Sequence, residues 1–350
     1  MSVLAIETSC DDTCAALVEP GGRMLSNVIS SQGVHDRFGG VVPEIASRHH
    51  LRIVNAVVNS ALSQAGATLD EVELVGATQG PGLVGALLVG LSTAKALAAA
   101  RELPFAAVDH LQGHVAANFL SGNGTDEGGA AFEPPFVCLI ASGGHTLLAL
   151  VEDHDGFEVL GRTLDDAAGE AFDKGARLLG LGYPGGAALE RLAADGDREA
   201  FAFPGSAAAR ARGGRGSARE GFARGLDFSF AGVKTALLYT VRELSEGELR
   251  ERAADLAASY QAAIVESLVE RAERALEQTG LDRLAVGGGV AANGALRRGL
   301  ARLGATLHVP ASELCTDNAA MIASAARFAR RLRYPEYLGL DAYASGERPR

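Results

Sequence analysis

Two histidines, His110 and His114, stand four residues apart in HLQGH, separated by Asp109 from the apolar run FAAV. On a helix, that spacing projects both imidazoles from one face, within reach of a single metal ion. Spacing alone does not supply a third ligand. Asp317, in CTDNAAM, is a candidate, and it is equally a candidate for a helix N-cap. A metalloprotease using such a pair needs Glu directly after the first His as general base. Leu111 occupies that position, which argues against peptide hydrolysis.

Further chemistry could come from the polar turns. Asp11 and Asp12 lie between two apolar runs, where carboxylates can meet a phosphate through a cation or a water, although Asp also suits turns for purely local reasons. Ser142-Gly143-Gly144-His145 is a second turn of this kind. Its glycines let backbone N–H groups approach an anion closely. Gly287, Gly288 and Gly289 follow an apolar strand and precede a helix near Asn293, a place where a nucleotide can lie against backbone. Asp173 and Lys174 sit mid-helix in AGEAFDKGA, near Asp165, Asp166 and Glu170. Residues 205–225 are rich in Arg and Gly, with Arg210, Arg212, Arg215, Arg219 and Arg224 among them. They read either as an arm for RNA phosphates or as a solvated insertion.

The elements that must position these residues alternate. VLAIETS, a polar turn and TCAALVE read as strand, turn, strand, and MLSNVIS as a third strand. Pro43 suits the first position of a helix that Gly66 ends. ELVGATQ is a strand, a helix runs from Leu83 to about Arg101, and FAAVDH is a short strand before the histidine helix. After a Gly- and Pro-containing linker, Ser121 to Pro135, the opening pattern returns: FVCLIAS, a glycine turn, TLLALVE, then FEVLGRTL. Helices follow over AAGEAFDKGARLLGL and from Ala231, Leu249, Asn293 and Asp317, with strands LDRLAVGG and ATLHVP between them. The expectation is an α/β chain of two lobes, residues 1–125 and 135–316, with a C-terminal helix over 317–345 completing the first. Such duplication is the pattern of the actin-like ATPase and sugar-kinase superfamily, in which ligands bind in a cleft between lobes.

Composition sets the limits. A chain of 350 residues with 47% hydrophobic residues can fill two cores, and with 5% aromatics it must do so largely with Ala, Val, Leu and Ile. Net charge of −11 argues against a general nucleic-acid coat protein, but leaves room for a local basic patch that grips one RNA. Cys10, Cys14, Cys138 and Cys315 form no CxxC pair and read as reduced thiols. No run has membrane-spanning character, and MSVLAIETSC reads as a strand rather than a leader, so the expected location is cytoplasmic.

Taken in order, IETSCDDT, GGVVPEIASRHH, TQGPGLVGALLVG, the His pair, ASGGHT, DDAAGEAFDKGARLLGLGYPGG, LDFSFAGVKTA, GGGVAAN and CTDNAAMIA closely resemble the TsaD family over nearly the whole chain. Those are the tRNA N6-adenosine threonylcarbamoyltransferases, once described as O-sialoglycoprotein endopeptidases. The resemblance implies the actin-like fold and one metal, usually iron with zinc as the alternative, held by His110, His114 and Asp317. It implies a substrate site of Ser142, Gly143, Gly144, His145, Asp173, Gly186, Glu190 and Asn293. Its donor would be threonylcarbamoyl-adenylate. Its acceptor would be N6 of adenosine 37 in tRNAs reading ANN codons, with AMP as the by-product. Asp11, Asp12, His145 or Lys234 would relay the N6 proton. A paralogous TsaB subunit and a TsaE ATPase would assist. Three positions depart from the common pattern: Glu190 where Asp is common, Gln112 where Glu is common, and Asp12 where Glu is common. Two other readings share the fold, a phosphotransferase and a non-catalytic subunit of a modification complex. A kinase has no use for the histidine pair, and a scaffold would be free to lose both that pair and the GGG turn.

Overall fold

The computed structural model describes residues 2–121, 131–208 and 225–345. Most of the Arg/Gly-rich stretch, including all five of its named arginines, lies outside the described residues, as does most of the Ser121–Pro135 linker. The described chain forms two compact units: Met1–Pro134 with Glu152–Phe157 and Pro310–Arg350, and Pro135–Val151 with Glu158–Val309.

The first unit is built on β1 (Ser2–Glu7), β2 (Asp12–Val18), β3 (Met24–Ser31), β4 (Val72–Gly80) and β5 (Phe105–Asp109), in the order β3-β2-β1-β4-β5. β1 pairs antiparallel with β2, which pairs antiparallel with β3; β4 joins β1 in parallel and β5 joins β4 in parallel. β1 is buried at every residue, as a central strand covered on both faces must be. Helices α1 (Pro43–Ala65) and α2 (Val84–Ala100) contribute Val54, Val58, Ala61 and Leu91 to a core shared with Leu4, Ile6, Leu17 and Phe105. Each such large apolar side chain contributes about 1.5–3 kcal/mol on burial. Pro43 begins α1, and Gly66 ends it in the left-handed region at φ 63°, its N–H bonded to Ser63 O.

The second unit repeats the plan. Its strands β6 (Phe136–Ala141), β7 (Thr146–Val151), β8 (Glu158–Arg162), β9 (Arg283–Gly287) and β10 (Thr306–His308) lie in the order β8-β7-β6-β9-β10, with the same succession of antiparallel and parallel pairs. Its helices are α4 (Ala168–Leu178), α5 (Gly186–Ala193), α6 (Ala231–Glu243), α7 (Glu246–Thr279) and α8 (Gly294–Leu300), α3 being the histidine helix His110–Ala116 of the first unit. α7 starts three residues before the expected Leu249 because Ser245 and Glu248 form a reciprocal capping box.

The C-terminal helix differs most from expectation. Beyond a single turn, α9 (Ser312–Cys315), it is α10 (Ala319–Ala326), eight residues long, instead of a helix over 317–345. After Arg327 the chain runs along the first unit. Leu332 exchanges both backbone hydrogen bonds with Phe105, at 2.9 and 2.8 Å, which covers the open edge of β5. Pro335, which has no N–H to give, then excludes a continuous helix. Among the described residues, no helix is long and apolar enough to cross a membrane.

Candidate active site

The first unit brings three candidates together. Ligand atoms of His110, His114 and Asp317 all lie within 4.8 Å of one another. Nε2 of His110 is 3.5 Å, and Nε2 of His114 is 3.3 Å, from the same oxygen, Oδ1 of Asp317. Local structure explains the convergence. Asp109 caps α3, its Oδ1 accepting from the N–H groups of Leu111 (2.8 Å) and Gln112 (3.2 Å), so the helix begins at His110 and both rings share a face. Gly113 lets α10 pack closely, since a Cβ there would stand 2.6 Å from Ile322 Cδ1. The N-cap of α10 is Asn318, whose Oδ1 accepts from Met321 N at 2.9 Å. Asp317 is therefore spared the capping role and presents its carboxylate to the histidines.

Polar partners buried around the pair were not apparent from spacing. Glu7, fully buried at the end of β1, places Oε2 3.1 Å from His110 Nδ1 and accepts from Thr78 Oγ1 at 2.5 Å. Its Oε1 accepts from Ser9 N, and Ser9 Oγ is 3.2 Å from the same imidazole nitrogen. With the Glu7 carboxylate accepting from Nδ1–H, Nε2 is the nitrogen on the Asp317 side, the one left to ligate a metal once its proton is displaced. His114 is fully buried, and neither ring nitrogen makes a hydrogen bond. An imidazole buried with no hydrogen bond, and only the Asp317 carboxylate near its Nε2, is costly; a cation held by both groups removes that cost. The donor set of two imidazoles and a carboxylate thus fits a divalent metal.

The electrostatics point the same way. Burial alone lowers the pKa of His110, but the Asp317 and Glu7 carboxylates outweigh it and hold the imidazole at about 9. Asp12 is pushed up to about 6, mainly by burial and further by Asp317, Asp11 and Glu7, against a hydrogen bond from Ser31. Burial, with Asp11 next, pushes the Cys10 thiol far up, which leaves it protonated and unreactive. Asp12 therefore sits among other carboxylates, in surroundings already rich in negative charge.

In the second unit the candidates gather around the ends of β6 and β9. Ser142 N donates to His145 O at 2.8 Å and Ser142 Oγ accepts from His145 N at 3.1 Å, closing the glycine turn. A Cβ on Gly143 or Gly144 would meet nothing within 4 Å. Gly288, at φ 85°, packs where a Cβ would stand 2.4 Å from Ala141 O, so the GGG turn lies directly against the start of the SGGH turn. Asp173 Oδ1 accepts from Gly185 N (2.8 Å) and Gly186 N (3.2 Å), and burial raises its pKa. Glu190 Oε1 accepts from Gly294 N at 2.7 Å. Asn293 caps α8 through Leu296 N and donates to Gln261 Oε1 at 2.8 Å. Asp173, Glu190 and Asn293 thus shape backbone around the turns. Lys234 is engaged by Asp166 at 2.8 Å, as is Lys174.

The family model for TsaD, tRNA N6-adenosine threonylcarbamoyltransferase, matches residues 23–324. The tRNA N6-adenosine threonylcarbamoyltransferase of Clostridium perfringens (strain SM101 / Type A) is 47% identical over 331 residues, 93% of this chain and 92% of that one. Its counterpart in Clostridium botulinum (strain 657 / Type Ba4) is 48% identical over 334 residues, 94% and 92% of the two chains. Among solved structures, full-length HypF in its phosphate- and nucleotide-bound form aligns with a TM-score of 0.58 at 14% identity, covering 93% of this chain and 46% of that one. Component A of the (R)-2-hydroxyglutaryl-CoA dehydratase of Acidaminococcus fermentans aligns at 0.54 and 14% identity, covering 94% and 97%. These two likenesses concern the fold, which is the actin-like one. On the family match and the identity to its curated members, the chain belongs to the TsaD family of tRNA N6-adenosine threonylcarbamoyltransferases, acyl-transferring enzymes that act on tRNA.

Proposed function

We propose that the chain takes threonylcarbamoyl from threonylcarbamoyl-adenylate and places it on N6 of adenosine 37 in tRNAs reading ANN codons, releasing AMP. The observation that carries this reading is the buried His110–His114–Asp317 cluster with its carboxylate-held imidazole. The group it holds is one divalent metal, Fe(2+) before Zn(2+), since two histidines and one carboxylate with open positions suit ferrous iron. When bound, that metal supplies Lewis acidity toward a phosphate or carbonyl oxygen.

The chain's own residues do the rest. Ser142, Gly143, Gly144 and His145 offer backbone and side-chain groups to the donor's anionic part, and Asn293 with the GGG turn serves its nucleoside. Asp173, Gly186 and Glu190 hold the backbone around them. N6 attacks the carbamoyl carbonyl carbon, the bond from that carbon to the phosphate oxygen breaks, and AMP departs with the electron pair. Asp12 accepts the N6 proton; burial, the main cause of its raised proton affinity, suits a carboxylate to that task. Asp11, a like charge beside it, adds to its affinity for the proton, and His145 assists at the donor. Lys234 is committed to Asp166 and is not the relay. TsaB and TsaE act as helpers, and the reaction takes place in the cytoplasm with its tRNA substrate.

The test is transfer of labelled threonylcarbamoyl from its adenylate to unmodified tRNA, with metal and the helpers present, for wild type and His110→Ala. Loss of both metal and transfer in the variant is expected. Near-normal transfer by a metal-free variant would overturn the metal's role.

A further inference from the structure

The histidine helix is held from a place far away in sequence. Asp109 uses Oδ1 to cap α3, and its Oδ2 accepts from the hydroxyl of Tyr343, at 2.5 Å. The same hydroxyl lies 2.9 Å from Gly80 O. Tyr343 is buried, and it can lie there only because position 80 has no side chain. A Cβ on Gly80 would stand 2.4 Å from Tyr343 O and 2.9 Å from two of its ring carbons. Backbone contacts register the tail on both sides of this ring: Tyr343 N donates to Gln79 O, Gln79 Nε2 to Asp341 O, and Gly82 N to Ala344 O. Lys95 Nζ holds the carbonyls of Leu338 and Leu340.

Both oxygens of Asp109 are thereby engaged on different elements, one by the first turn of α3 and one by the C-terminal tail. A carboxylate fixed at one oxygen can swing about that contact; fixed at both, it sets the rotation of the helix start. That rotation decides where the rings at the first and fifth positions of α3 point. We propose that Tyr343 is a positioning residue for the metal centre: through Asp109 it sets the angle at which His110 and His114 meet Asp317, so that the tail tunes metal affinity from outside the ligand set. Partners that hydrogen-bond a ligand directly change metal affinity about 10–100-fold when lost; Tyr343 acts one step further out, through a carboxylate that holds the backbone N–H groups of Leu111 and Gln112, so the lower end of that range applies. The proposal rests on the metal centre assigned above.

The test is a titration with Co2+ against a chelating dye, for the full chain as wild type, Tyr343→Phe, Asp109→Asn and the double variant, with metal-free melting temperatures measured on the same samples. Tyr343→Phe keeps the ring in the Gly80 hollow and removes only the hydroxyl. About a tenfold loss of cobalt affinity is expected in that variant. The double variant should lose no more than the worse single one, because both act through one contact. Equal affinity in wild type and Tyr343→Phe, with or without a lower melting temperature, would make the residue mere packing and overturn the proposal. Additive losses in the double variant would overturn the route through Asp109. A wild type that takes up no cobalt would overturn the metal centre itself, and this inference with it.

Discussion

The two units share a strand order and differ in what they place at the first hairpin turn and the strand end beside it. In the first unit the turn carries Cys10, Asp11 and Asp12; burial first, then the carboxylates of Asp317, Asp11 and Glu7, raise the proton affinity of Asp12, and those of Asp317 and Glu7 raise that of His110. In the second unit the turn is Ser142-Gly143-Gly144-His145, and the nearby acids are spent on backbone N–H groups: Asp165 on Phe230 and Ala231, Asp173 on Gly185 and Gly186, Glu190 on Gly294. One end accumulates negative charge that a cation neutralises. The other neutralises its own charge and leaves open backbone that an anionic or polar ligand can approach. On the proposed reading, residue chemistry divides a duplicated scaffold into a metal end and a ligand end.

Gly80, at the end of β4, and Gly288, just past β9, both lie where a Cβ would clash with a neighbouring carbonyl, and Gly288 gives the largest expected effect. Gly288 has φ 85° and no room for a Cβ, just as Gly80 has none beside Tyr343. Gly288→Ala combines left-handed strain with a clash against Ala141 O and should cost about 2–4 kcal/mol, read from the urea midpoint. It should also lower donor affinity while metal uptake stays at wild-type level. A coupled loss of metal would break the division into two ends.

The same comparison shows what the sequence carried and what it withheld. Alternating apolar runs around DD and SGGH disclosed both hairpins, and Pro43 and Gly66 bounded α1, because these are local signals: pleat period, a fixed φ, a left-handed cap. The histidine pair was legible from helical period. Glu7 was not, because at the end of an apolar strand it looks like a residue turning toward solvent; only the packing of Thr78 and His110 around it shows otherwise. Asp317 could not be told from a cap until Asn318 was seen to do the capping. The tail beyond Arg327 was taken for helix, since its stability comes from pairing with β5 and from the Gly80 hollow, contacts more than 200 residues away in the chain. The ligand end was legible mainly through a family resemblance; Asp173 and Glu190 act on backbone N–H groups that no spacing rule connects to them.

A middle-sized effect follows from charge crowding at the metal end. In the metal-free chain, Asp12 keeps its proton up to about 6 when folded, against the ordinary carboxylate value of 3.8 when unfolded. Between those values the folded state binds more protons, so stability falls as pH rises from about 4 to about 6, and the loss persists above that. Asp12→Asn removes this contribution. Relative to wild type, the chelator-treated variant should gain about 1–3 kcal/mol on going from pH 4 to pH 7.5, measured by denaturant unfolding at both. A difference between the chains that does not change with pH would mean that Asp12 is already relieved of its neighbours' charge, and that the metal end is less crowded than its geometry implies.

The smallest effect on stability sharpens the comparison at the ligand end. Gly143 has no left-handed φ and no atom within 4 Å of where a Cβ would stand, so nothing inside the fold requires glycine there. Gly144 is equally open. This separates them from Gly288, whose glycine the fold demands. Gly143→Ala should therefore unfold within about 0.5 kcal/mol of wild type. If the turn serves the donor, the methyl group keeps the adenylate from approaching the backbone N–H groups, and KM for the adenylate should rise about tenfold with kcat little changed, the signature of lost binding shared by ground and transition states. An unchanged KM in a normally folded Gly143→Ala would mean that the donor does not approach this turn, and the glycine pair would have to be moved out of the ligand end.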